Sequence, residues 1–231
     1  MGSCADGYGT CCIICQRDQF VVSGQNVNNI IPILCGINTG HHVYIEVSDV
    51  GGPIILSIQT VSSESRLFSI KVTQLTWADD LAAPSGCLQY FNGPLGYLES
   101  FNYHDKSDIA IPRANNLNYA MCIERVPETC SVTYTNAGSM QIVNYDTDGL
   151  PVIPPGQAGV EILNCPSDWL LIAATRLCGE RLNDGSVFQD FALNAPITDS
   201  SAGPIVIWFR SDEANVGHGF KLKYRQNNCN R

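Results

Sequence analysis

Charge is scarce in this chain. Only 15% of its 231 residues are Asp, Glu, Lys or Arg, well under the quarter or so usual for soluble domains. The scarcity is greatest for cations: 13 Lys and Arg stand against 22 Asp and Glu, a net charge of −9. A nucleic-acid partner needs a basic footprint, and none is present. Long runs of one charge are missing too, so a disordered, self-repelling chain is excluded. No apolar stretch approaches the length that spans a bilayer. The first residues, Met1-Gly2-Ser3-Cys4, have neither the basic start nor the apolar run of a signal peptide, so we expect a mature chain or a fragment. Asp6 stands where a myristoylation signal wants a hydroxyl. No Asn-x-Ser/Thr glycosylation site occurs.

Catalytic signatures are missing as well. There is no Gly-x-Ser-x-Gly, no His-Glu-x-x-His, no phosphate-binding glycine loop and no dinucleotide fingerprint. The four histidines, His41, His42, His104 and His218, fall in no nucleophile or metalloprotease motif. We therefore expect no enzyme.

What is present is cysteine and β-pattern. Eleven cysteines point to a disulfide framework in an oxidising compartment, with one cysteine over. Cys11-Cys12 and His41-His42 are poor zinc chelates, because neighbours on a strand point to opposite faces. No stretch keeps a helical period. Phe220-Lys221-Leu222-Lys223-Tyr224-Arg225 alternates apolar with cationic residues, the period of a half-buried strand, and Phe68-Ser69-Ile70-Lys71-Val72-Thr73 does the same. Ile205-Val206-Ile207-Trp208-Phe209 is a continuous apolar run, as in a core strand. Val43–Val47 and Cys130–Tyr134 are β-rich. Asn38-Thr39-Gly40, Gly51-Gly52-Pro53, Pro154-Pro155-Gly156 and Asn183-Asp184-Gly185 punctuate them. Many short strands with turns predict an all-β antiparallel sandwich or barrel.

One ordered pattern occurs twice. Cys15-Gln-Arg-Asp18, Phe20-Val-Val, Leu34-Cys35-Gly36, Gly52-Pro53-Ile-Ile and Leu67-Phe68-Ser-Ile-Lys71 form the first copy. Cys165-Pro-Ser-Asp168, Trp169-Leu-Leu-Ile, Leu177-Cys178-Gly179, Gly203-Pro204-Ile-Val and Gly219-Phe220-Lys-Leu-Lys223 form the second. Two copies of one unit are implied. The second has a long stretch before its Cys165, and the first has almost nothing before Cys15. The polar stretch Trp77–Ser85 separates them like a short linker. The expected organisation is a cysteine-rich leader (1–14), a partial unit (15–77) and a complete unit (84–231).

The complete unit resembles the CUB domain family, extracellular β-sandwich modules of jelly-roll type. The likeness rests on Cys87 before the Gly93–Tyr103 stretch, Leu117-Asn-Tyr-Ala-Met-Cys122, Cys165-x-x-Asp168 with its apolar run, and Leu177-Cys-Gly179. Its most specific part is Phe209-Arg-Ser-Asp212 followed by Gly217-His-Gly-Phe220. Residues 15–75 resemble the second half of another such domain. Cys4–Cys12 resembles a leader seen ahead of tandem CUB domains in secreted arthropod proteins. The resemblance implies pairings Cys87–Cys122, Cys165–Cys178 and, by the repeat, Cys15–Cys35; Cys130 could then reach Cys229.

It also implies a calcium site. Many CUB domains hold Ca²⁺ with a Glu before the third-cysteine strand, the Asp after that cysteine and the Asp of the Ser-Asp loop. Glu161, Asp168 and Asp212 match in order, with Asn215 as an added oxygen donor; Ca²⁺ takes six to eight such ligands. In the first copy Ser62-Ser-Glu-Ser65 has lost the Asp. Asp146-Thr-Asp-Gly149 opens like an EF-hand loop, but Gln157 occupies the closing Glu position, so a turn is expected.

The function implied is secreted, non-catalytic recognition of a protein partner, with basic side chains meeting the acidic loop end. Two alternatives stay open: a structural matrix or cuticle component cross-linked through the spare cysteine, and the non-catalytic region of a secreted protease. The incomplete first unit invites homo-oligomers.

Overall fold

In a computed structural model, residues 18–26, 30–47, 51–61, 67–103, 116–213 and 217–229 are described. Near the start, β1 (Gln19–Ser23) and β2 (Ile55–Gln59) pair antiparallel as a two-stranded sheet. The remaining strands follow the linker: β3 (Cys87–Phe91), β4 (Leu95–Glu99), β5 (Asn118–Ile123), β6 (Thr129–Asn136) and β7 (Ala158–Val160). After the short α1 (Glu161–Asn164) come β8 (Trp169–Ile172), β9 (Thr175–Gly179), β10 (Ile197–Asp199), β11 (Ile205–Arg210) and β12 (Lys221–Asn228).

These make two sheets, a four-stranded one ordered β10-β6-β12-β4 and a six-stranded one ordered β3-β5-β11-β8-β9-β7. All pairings are antiparallel except β3 with β5, which run parallel. The core lies between the sheets. Leu98, Val132, Tyr134, Leu222 and Tyr224 are buried from one side; Tyr119, Met121, Leu170, Ile172, Ile207 and Phe209 from the other. Each such side chain stabilises the fold by roughly 1.5–3 kcal/mol. The expected sandwich is thus formed.

The strand patterns explain which faces turn inward. On β12, Leu222, Tyr224 and Gln226 are buried while Lys223 and Arg225 are in solvent, as the alternation predicts. The continuous apolar run at 205–209 behaves differently from the expected core strand. It lies centrally as β11, yet only Ile205, Ile207 and Phe209 are buried; Val206 and Trp208, on the opposite face, are exposed. Two further strand expectations fail. Residues 43–47 and 68–73 take no strand structure. Phe68, Ile70 and Val72 are exposed and no ladder joins them, and a strand without neighbours to bond is not stable in water.

Three disulfides fasten the sandwich: Cys87–Cys122, Cys165–Cys178 and Cys130–Cys229. Cys130–Cys229 ties β6 to the residue after β12 and closes a separation of 99 residues. Cys35 is also disulfide-bonded, to a partner outside the described residues. Cys4, Cys11, Cys12 and Cys15 lie outside them as well.

The segment ahead of the linker packs onto the sandwich. Val22, Ile31, Leu34 and Cys35 join the same buried core. Residues 41–46 run along β3, the edge of the six-stranded sheet. Tyr44 donates its N–H to the Leu88 carbonyl at 2.8 Å, and the Gln89 amide reaches the His42 carbonyl at 3.3 Å. An open strand edge invites pairing with other chains; this segment blunts it.

Candidate functional site

The Cys165–Cys178 bridge anchors the turn that leads from α1 into β8. Asn144 shapes that turn. Its side-chain oxygen accepts the N–H groups of Ser167 and Asp168, both at 3.0 Å, and its amide donates to the Asp168 carbonyl at 2.8 Å. Asn144 is buried, so these bonds also satisfy a group that would be costly to leave unpaired. Nothing in the local sequence marked it; it lies in a loop more than twenty residues before the aspartate it holds.

β11 delivers the second carboxylate. Ser211 exchanges bonds with Leu117, accepting its N–H on the hydroxyl at 3.1 Å and donating its own N–H to the Leu117 carbonyl at 2.8 Å. Asp212 follows directly, and its N–H donates to Asp168 Oδ1 at 2.6 Å. The two aspartates named from sequence are therefore brought together.

Asp168 is almost fully buried, 3% exposed. Burial pushes its pKa up to about 7; the Asp212 N–H works against that rise, and the neighbouring Asp212 charge adds to it. Beneath the pair lies a cavity of about 20 Å³, lined by Ser100, Asn102, Gln141, Asp168, Ser211 and His218 among others. That is room for one water or one ion.

Glu161 is placed differently. It begins α1 on the far side of the Cys165 turn, is exposed, and has a left-handed backbone (φ 71°). Among the described residues no group of three or more His, Cys, Asp or Glu is close enough to hold a metal ion, so Glu161 is not gathered with Asp168 and Asp212. Asn215 lies outside the described residues. The donor chemistry of the pair, two hard carboxylates with one deeply buried, is of the kind that suits a hard cation such as calcium.

The first copy repeats part of this arrangement. Asp18, the counterpart of Asp168, accepts the Val61 N–H on Oδ1 at 3.4 Å. Val61 occupies the place of Asp212, so the main-chain bond is repeated while the second carboxylate is lost. Asp146 forms a turn: its Oδ1 accepts the N–H groups of Asp148 and Leu150 at 2.9 and 2.8 Å. Trp169 and Tyr224 are core residues. Trp169 lies under the Arg176 guanidinium at 4.8 Å.

Two packed sheets of short strands, each braced by disulfides and carrying an acidic loop end, define an extracellular-type β-sandwich module. A family model described as animal CUB domain matches residues 84–227, and the chain belongs to that family. CUB domains are protein-interaction modules and are generally not catalytic. No curated protein matches. Among solved structures, the CUB2 domain of MASP-1 bound to Ca²⁺ is 21% identical, with a TM-score of 0.35, over 59% of this chain and 96% of that one. The CUB1-EGF-CUB2 region of human MASP-1/3 is 15% identical, with a TM-score of 0.36, over 92% and 82%. The same region of rat MASP-1 is 16% identical, with a TM-score of 0.35, over 91% and 81%. Among the described residues, no helix is long and apolar enough to cross a membrane.

Proposed function

We propose that this chain is a secreted, non-catalytic recognition module that binds a protein partner through the loop end at Asp168 and Asp212, supported by Ca²⁺. The observation that carries the reading is the hydrogen bond from the Asp212 N–H to the buried Asp168 carboxylate at 2.6 Å. That bond comes from the Asp212 main chain; the Asp212 carboxylate charge, together with burial, opposes ionisation of Asp168, so the fold is less stable when both are ionised. A bound calcium would supply the compensating positive charge, with Glu161 and Asn215 as the further oxygen donors. Asp168 and Asp212 would hold the ion from the rigid ends of β8 and β11. Their remaining lone pairs would face a Lys or Arg of the partner.

The test is calorimetric titration of the full chain with CaCl₂, followed by capture of lysine- and arginine-rich peptides in Ca²⁺ and in chelator. We expect saturable binding of one ion, lost in Asp212→Ala, and peptide capture only with the ion present. Absence of any heat from millimolar Ca²⁺ at pH 7.5 rules the reading out.

A further inference from the structure

The two copies of the sequence pattern match in structure pair by pair. In the complete unit, β8 faces β11 as Leu171 with Trp208, Leu170 with Phe209 and Trp169 with Arg210. In the first copy, β1 faces β2 as Val21 with Ser57, Phe20 with Ile58 and Gln19 with Gln59. These are the same positions of the repeat. Leu170 also faces Leu177, and Phe20 faces Leu34.

What differs is the next strand. In the complete unit β11 has a neighbour on each edge, β8 and β5. β5 runs antiparallel to it, with Ile123, Met121 and Tyr119 opposite Ile205, Ile207 and Phe209. In the first copy β2 has β1 on one edge, and among the described residues no strand lies on the other. The burial records the loss. Ile207 and Phe209 are 0% and 5% exposed, while their counterparts Leu56 and Ile58 are 37% and 41% exposed. Phe220 and Leu222 are fully buried, while Phe68 and Ile70 are 52% and 51% exposed.

The direction of the free edge follows from the ladder. Phe20 bonds Leu34 through both its N–H and its carbonyl, so it points away from β2. Bonding direction alternates along a strand, and opposed residues form either bonded or unbonded pairs. The N–H and C=O of Ile58, and likewise of Leu56, therefore point outward. No residue of β2 is charged, so the strand carries no charge of its own to guard the edge.

We propose that the open edge of β2 is a docking site for an extended strand of another polypeptide, added antiparallel in the register that β5 takes on β11. The strand it fits carries apolar side chains at alternate positions, opposite Ile54, Leu56 and Ile58. Main-chain bonds supply the affinity and the alternate apolar positions the selectivity. The β5 of a second copy is not free to fill it, being bonded on both edges by β3 and β11. This surface is separate from the acidic loop end, and the inference does not depend on calcium.

The test uses the full chain in chelator and a synthetic peptide of residues 116–125 with Cys122→Ser, alongside a scrambled peptide. Amide hydrogen exchange is read at Leu56 and Ile58, and the oligomeric state by sedimentation. We expect a monomer with fast exchange at both amides, slowed on the order of tenfold or more by the peptide and not by the scrambled one. Leu56→Pro removes one outward N–H and should abolish the effect, while Leu56→Ala keeps that N–H and should retain most of it. Unchanged exchange at saturating peptide overturns the proposal. So does slow exchange without peptide in a monomer, which means the edge is covered internally. Slow exchange in a dimer assigns the edge to a second copy and overturns it equally.

Discussion

His42 Nε2 accepts the main-chain N–H of Tyr90 at 3.1 Å. An imidazole accepts at that nitrogen only when it is unprotonated there. A side chain from the segment ahead of the linker thus caps a backbone donor on β3, the edge strand of the CUB sandwich. Rings of Tyr44 and Phe91 flank it at 5.7 and 5.0 Å. Its neighbour His41 lies over Phe101 at 5.2 Å and 3.9 Å from Glu99, which Lys221 also contacts at 3.0 Å.

Acid should loosen this contact. Burial holds both histidines below their ordinary pKa of about 6.5, although Glu99 pulls His41 the other way. A depressed native pKa contributes stability that is full above about 6.5 and is lost as pH falls through the native values. We expect the Tyr90 amide to exchange faster at pH 5 than intrinsic chemistry allows for, relative to pH 7.5. The double variant His41→Gln, His42→Gln should flatten that dependence, since Gln accepts the same bond without titrating. Equal acid sensitivity in the variant would show that other groups carry it.

Asp168 should give the opposite slope. Its native pKa of about 7 lies above the unfolded value of 3.8. Between those values the native state holds the extra proton, so metal-free stability falls as pH rises from about 4 to 7, by on the order of 4 kcal/mol. Asp168→Asn keeps an acceptor for the Asp212 N–H and should remove the fall. A proton and a calcium ion compete for the same carboxylate, so the melting shift caused by Ca²⁺ should be larger at pH 8 than at pH 5.5. A calcium shift independent of pH would place the ion elsewhere.

The sandwich was legible because strand alternation depends on order along the chain, and the disulfide pairings were legible only through the family resemblance. Leu222 and Tyr224 alternate with Lys223 and Arg225, and Cys87, Cys122, Cys165 and Cys178 sit at the ends of such patterns. Contacts that depend on a distant neighbour were not legible. Residues 68–73 alternate as well as β12 does, but have no strand beside them to bond. Asp168 and Asp212 meet because β8 and β11 are adjacent, which the resemblance implied. Asn144 and His42 act through single bonds to main-chain groups far off in sequence, and no local motif announces such bonds.

Gln226 supplies a stability test far from either surface. It is buried on β12, where its side-chain oxygen accepts the Val126 N–H at 2.9 Å. Its amide donates to the carbonyls of Glu124 and Gly93 at 2.7 and 3.0 Å. Gln226→Leu keeps the volume and removes the partner of three main-chain groups, which are only partly shielded from water, so each costs near or below the low end of about 1–3 kcal/mol. We expect a loss of about 2–4 kcal/mol in urea unfolding, without change in Ca²⁺ binding. A neutral result would mean that water replaces the amide.

Dividing the chain at the linker should yield unequal pieces. Residues 84–231 keep both large sheets and the three described disulfides, so this fragment should unfold cooperatively. It also loses residues 41–46 from β3, and its Tyr90 and Leu88 main-chain groups become an open edge. We therefore expect a lower melting temperature than the whole chain and concentration-dependent association, which adding back the histidine segment as a peptide should reduce. Residues 1–80 fare worse. Val22, Ile31, Leu34 and Cys35 are buried only by joining the core of the sandwich, and a two-stranded sheet does not stand alone in water. This fragment should be oligomeric or insoluble. A sharp, reversible, monomeric melt from residues 1–80 would show that the first copy is a domain in its own right, and the open edge of β2 would then need another explanation.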